Sequence, residues 1–136
     1  MKRRDFILTS LALLPASGAL AKAALYTPGL VEAELAAGKT VFLDFKAQWC
    51  GTCKAQERQI TALKQENPAY EAAISFIDVD WDQFRKSDLV KRLNVPRRST
   101  LVVLKGNEEL GRIVAGTARS QIKELMDTAL SAATTA

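Results

Sequence analysis

Two cysteines stand two residues apart in Trp49-Cys50-Gly51-Thr52-Cys53-Lys54, and the chain has no others. The apolar run Val41-Phe42-Leu43-Asp44-Phe45 comes shortly before them, so the sequence predicts a strand leading into a helix that starts at the first cysteine. A thiol at a helix N-terminus faces unpaired backbone N–H groups at the positive end of the helix dipole, which favours thiolate over thiol. Cys50 is therefore the candidate nucleophile, and it is expected to be the more exposed of the pair. Cys53 falls one turn further on and faces inward, close enough to attack a mixed disulfide formed at Cys50, which makes it the candidate resolving thiol. Spacing alone leaves a metal site open, because zinc ligands use the same pair. The chain has no histidine. That removes His-based triads, His metal ligation and His pH switches, and narrows the chemistry to thiols and carboxylates.

The elements that must hold these residues can be read outward from them. Cys53, Gln56, Ile60, Leu63 and Asn67 recur at helical spacing, predicting a helix from about Cys50 to Asn67 that Pro68 stops. Val41 to Phe45 reads as a strand buried on both faces, and Asp44 inside it as a buried acid. Upstream, a brief strand at Ala24 to Tyr26 precedes a weak helix that Pro28 opens and Gly38 ends. Downstream, Ile74 to Val79 is a strand, Asp80-Trp81-Asp82 an acidic turn with Trp81 as packing, and Leu89, Val90 and Leu93 mark a helix closed by Asn94. Strand, helix, strand at these lengths implies a right-handed parallel crossover. Thr100 to Leu104 and Leu110 to Val114 flank a turn as a hairpin, and Ile122, Leu125, Met126, Ala129 and Leu130 form one helical stripe before a frayed Ala/Thr tail. The sum is an α/β domain: a mixed sheet of four or five strands with helices on both faces.

With 136 residues, 48% hydrophobic and 25% charged, the chain suits one domain with a real core, which excludes disordered and fibrous classes. The formal charge of +4 falls to +2 once Lys2, Arg3, Arg4 and Asp5 are set aside, so nothing favours a nucleic-acid partner. Residues 1–21 read as a cleavable export signal: a basic start, an apolar stretch from Phe6 to Leu14, and a small-x-small end at Ala19-Leu20-Ala21, with cleavage after Ala21 or Ala23. Lys2-Arg3-Arg4-Asp5-Phe6-Ile7 resembles a twin-arginine signal, with Lys where Ser or Thr is usual. The expected organisation is signal 1–21 and domain 22–136, with the mature protein in the periplasm.

The segment from Asp44 to Lys54 resembles the active site of the thioredoxin superfamily, and the likeness can be followed from about Pro28 to Leu130. Gly38-Lys39-Thr40-Val41 and Leu89 to Val95 add a similarity to periplasmic thioredoxin-like proteins and to the C-terminal domain of the disulfide interchange protein DsbD. The resemblance implies a thioredoxin fold and a thiol–disulfide oxidoreductase, reductase-like, that needs no cofactor beyond a redox-active Cys50–Cys53 disulfide. It also implies oxidised client proteins, a membrane electron donor, and a monomer. In this reading Asp44 takes the proton of Cys53, while Trp49, Gly51, Thr52, Arg98, Ser99 and Thr100 form the substrate groove.

Three positions depart from the family. Ser99 stands where relatives carry a cis-proline packed on the Cys-x-x-Cys, and Pro96 comes three residues too early. A cis bond without proline costs about 3–4 kcal/mol, so Ser99 is expected to be trans or strained, and proline there to raise activity on a disulfide such as insulin. Phe76 replaces a lysine near the buried acid, which would leave Asp44 without a cationic neighbour and more readily protonated. Thr52, where thioredoxins have proline and strong oxidases histidine, removes a usual support for strong oxidation. A second reading uses the same thiols otherwise: the missing cis-proline opens room beside them, and two chains each donate Cys50 and Cys53 to an iron–sulfur cluster.

Overall fold

The computed structural model describes residues 23–135; the expected export signal at residues 1–21 lies outside them. The elements run β1 (Ala24–Leu25), α1 (Leu30–Ala36), β2 (Thr40–Lys46), α2 (Gly51–Glu66), α3 (Ala69–Ala73), β3 (Ile74–Asp80), α4 (Trp81–Phe84), α5 (Asp88–Leu93), β4 (Thr100–Lys105), β5 (Glu108–Val114) and α6 (Arg119–Thr134). They form one five-stranded sheet in the order β1-β3-β2-β4-β5. β3 runs parallel to β2, while β4 is antiparallel to both β2 and β5.

β2 is central because its residues are apolar on both faces, and all but Lys46 are buried. Strand alternation sends Val41, Leu43 and Phe45 into a core shared with Val31, Leu89 and Val90 from α1 and α5. Phe42 goes to the other face, where Ile60 and Leu63 of α2, Tyr70 of α3 and Ile122, Leu125 and Met126 of α6 close over it. Asp44 and Lys46 have the same parity as Phe42, so the buried acid faces α2, the helix that carries the cysteines.

Two short helices go beyond the sequence reading. Pro68, read as a stop, is also the start of α3: it has helical backbone angles, and Asn67 Oδ1 accepts the N–H of Ala69 at 3.1 Å. The acidic turn at Asp80 to Asp82 is the N-terminus of α4, with Asp80 as its cap accepting the N–H of Asp82 at 3.0 Å.

Candidate active site

Cys50 has extended backbone angles and serves as the N-cap of α2, where its sulfur accepts the N–H of Cys53 at 3.1 Å. A side chain that caps a helix is normally a hydroxyl or carboxylate oxygen; here a sulfur takes that orphan donor. The two cysteines form a disulfide with their Cα atoms 5.3 Å apart. Both are only 2% exposed, packed with Ala47 and against Trp81. The expected difference in exposure is therefore absent in the disulfide form, and the asymmetry between them is electrostatic. Gly51 is exposed and Thr52 half-buried at the helix start.

Ser99 is buried beneath the disulfide, its hydroxyl 3.1 Å from both the Cys50 and the Cys53 sulfur. Neither sulfur of a disulfide carries a proton, so the hydroxyl is the donor and is shared between them. Its backbone is tied in on both sides: the N–H donates to the Phe45 carbonyl at 2.7 Å, and the carbonyl accepts from Gln56 Nε2 and from the N–H of Ala115, each at 2.9 Å. These bonds hold Ser99 at φ 62°, a left-handed conformation, and among the described residues no peptide bond is cis. The expectation of a trans or strained Ser99 is met. The expectation of empty room beside the thiols is not, because the hydroxyl fills it. The N–H restored by the missing proline points to Phe45 and not to sulfur.

Asp44 is buried, and among the described residues its Oδ1 has no hydrogen-bond partner. Burial, reinforced by the negative charge of Asp78 on the neighbouring strand, pushes its carboxyl up to about 7. Cations do reach it, contrary to the reading of Phe76: the charges of Lys46 and Lys64 both oppose the rise. Lys64 lies 3.9 Å over the Phe76 ring, so it approaches from α2 the place that a strand lysine would fill. Both lysines are shared, however. Lys46 pairs with Glu57 at 3.2 Å and Asp78 at 3.5 Å, and Lys64 with Glu71 at 3.5 Å. Asp44 lines a cleft of about 550 Å³ together with these groups.

Trp49 is 60% exposed, with its indole N–H donating to Asp82 at 2.9 Å and the Arg98 guanidinium 4.4 Å from its ring centre. Asp82 thereby fixes the exposed aromatic from α4. Arg98 is half-buried, whereas Ser99 and Thr100 have no exposed surface, so those two add none to a groove in this state; Thr100 instead donates its hydroxyl to the Arg97 carbonyl at 2.7 Å. Pro96 is exposed on the loop. Sequence reasoning saw Gln56 only as part of a helical stripe. A polar side chain on an inner stripe, one turn past Cys53, was the available signal for its role.

Residues 26–128 match the family model for thioredoxin. A thioredoxin of Echinococcus granulosus is 31% identical over 96 residues, covering 71% of this chain and 83% of that protein. Thioredoxin-1 of Drosophila melanogaster is 31% identical over 93 residues, covering 68% and 81%. Among solved structures, Trxlp from Edwardsiella tarda superposes with a TM-score of 0.67 at 26% identity, covering 77% of this chain and 98% of that one. With its mixed sheet, its helix-capping cysteine and the paired sulfurs, the chain belongs to the thioredoxin family and is a thiol–disulfide oxidoreductase.

Proposed function

We propose that the protein is an exported, reductase-like thioredoxin that reduces disulfides in protein clients outside the cytoplasm and is itself re-reduced by a membrane donor. The observation that carries the assignment of roles is the Cys53 N–H aimed at the Cys50 sulfur, which selects Cys50 as the thiolate. Cys50 attacks a client disulfide, forms a mixed disulfide and releases one client thiolate. Cys53 gives up its proton and attacks the Cys50 sulfur, closing the Cys50–Cys53 disulfide and releasing the second client thiolate. Asp44, with a carboxyl balanced near neutrality, is the acceptor for that proton. Two electrons from the donor, with the proton returned from Asp44, then restore the Cys50 thiolate and the Cys53 thiol. Trp49 and Arg98 present an aromatic and cationic rim to the client.

The twin-arginine-like start and the likeness to the DsbD domain support the periplasmic location and the membrane donor. Expression of Cys53→Ala with the native leader tests both parts together. Clients held on Cys50 by a reducible bond, recovered from the periplasmic fraction, are the expected outcome. Protein retained in the cytoplasm would overturn the location, and an exported protein carrying no reducible adduct would overturn the client reading.

A further inference from the structure

Among the described residues, the Ser99 hydroxyl is the only hydrogen-bonding group that meets the Cys53 sulfur, and the two sulfurs are the only partners of that hydroxyl. The site is closed to water on this side: Ser99 has no exposed surface and each cysteine is 2% exposed. A thiolate formed at Cys53 would therefore sit in a nearly dry environment, where an unpaired charge is costly. Cys50 has the backbone N–H of Cys53 in addition, whereas among the described residues Cys53 has no second donor.

We propose that Ser99 is a catalytic residue whose hydroxyl serves the two sulfurs in turn, donating to the Cys50 thiolate in the reduced protein and to the Cys53 thiolate in the mixed disulfide. This rests on the oxidoreductase reading above. The placement fits the task, since the hydroxyl oxygen is equidistant from both atoms and turning about the Cβ–Oγ bond redirects its proton without moving the oxygen or the backbone. No covalent bond forms or breaks at oxygen, and the proton stays on Oγ throughout. Only its direction changes as negative charge moves from one sulfur to the other. A hydrogen bond to an ionised group is stronger than one to a neutral group, so the hydroxyl favours each thiolate over the disulfide. Ser99 thereby makes the disulfide easier to reduce and speeds the attack by Cys53.

The backbone bonds of Ser99 leave the side chain free for this role. The N–H and carbonyl are already committed to Phe45, Gln56 and Ala115, so the fold does not need the hydroxyl to hold the loop. Ser99→Ala and Ser99→Gly test the proposal, and glycine accepts φ 62° without the penalty that a Cβ carries. Three measurements on purified protein suffice: thiolate absorbance against pH, equilibrium with glutathione, and single-turnover release of thionitrobenzoate from its mixed disulfide with Cys50. Both variants should titrate Cys50 at higher pH and shift the glutathione equilibrium about tenfold toward the disulfide, equivalent to about 30 mV. Both should also release thionitrobenzoate about tenfold more slowly. Unchanged titration, equilibrium and release in the folded glycine variant would overturn the proposal. None of these measurements requires a client, so failure to find clients would leave the result standing. A parent protein unable to exchange with glutathione would overturn the oxidoreductase reading, and the thiolate titration would still decide the hydrogen bond.

Discussion

Gln56 holds Ser99 in place: its side-chain amide donates to the Ser99 carbonyl at 2.9 Å and to the Gly116 carbonyl at 3.0 Å. Helix α2 therefore carries both cysteines and the group that braces the loop against them. Gln56→Leu keeps the buried volume and removes both bonds, leaving the Gly116 carbonyl without this donor. The expected loss is about 1–3 kcal/mol of stability in urea unfolding. A drop in the rate of disulfide exchange should accompany it, since Ser99 then loses one of its restraints.

Proline at position 99 is expected to harm this protein, in contrast to what its place in the family suggests. Its ring fixes φ near −65°, whereas Ser99 stands at 62°, and it would delete the N–H that bonds the Phe45 carbonyl. Ser99→Pro should lower stability by about 3 kcal/mol or more unless the whole loop rebuilds. Insulin reduction and thermal unfolding on the same sample check it, with both expected to fall.

The buried carboxyl makes stability depend on pH in a stated direction. Asp44 sits at about 7 in the folded protein against 3.8 for the free side chain, so between these values the folded state binds the extra proton. Stability contributed this way is present at low pH and is lost as pH rises from about 4 through about 7. Asp44→Asn removes that dependence. Its stability relative to the parent should improve by on the order of 3 kcal/mol between pH 4 and pH 8, measured by urea unfolding at each pH. In the same variant the first attack by Cys50 should persist, while release of the mixed disulfide slows at neutral pH.

In the reduced protein Cys50 should alkylate at least tenfold faster than Cys53 at neutral pH. The reason is the Cys53 N–H donated to its sulfur together with the helix end, and not exposure, since both residues are equally buried in the disulfide form. Mass mapping after a short iodoacetamide pulse distinguishes the two sites. Faster labelling of Cys53 would reverse the roles assigned here.

The sheet and the active-site helix were legible because their signals are local. An unbroken apolar run marks β2, and a stripe at helical spacing marks α2. Asp44 was legible as a buried acid for the same reason, being one polar residue inside such a run. Ser99 could be singled out as a departure from the family, trans or strained, but the geometry that holds it there could not be read. That geometry depends on bonds to Phe45, Gln56 and Ala115, which only the folded chain brings together. The cations near Asp44 were missed in a different way. The strand position of Phe76 implied no cation, whereas Lys46 lies two residues from Asp44 on the same face of β2 and Lys64 reaches in from α2. The burial of Cys50 was missed because Ser99 and Trp81 close over it from segments far along the chain.

Both tryptophans of the chain are gathered at the disulfide, Trp49 as the residue before Cys50 and Trp81 packed on the cysteine cluster. A disulfide accepts an electron from an excited indole, and a pair of thiols does so far less. The protein consequently carries its own optical readout: intrinsic emission should brighten on reduction and can follow exchange in real time without a label. Since no indole lies elsewhere, that light reports the neighbourhood of the sulfurs and is largely blind to events at the far end of the sheet.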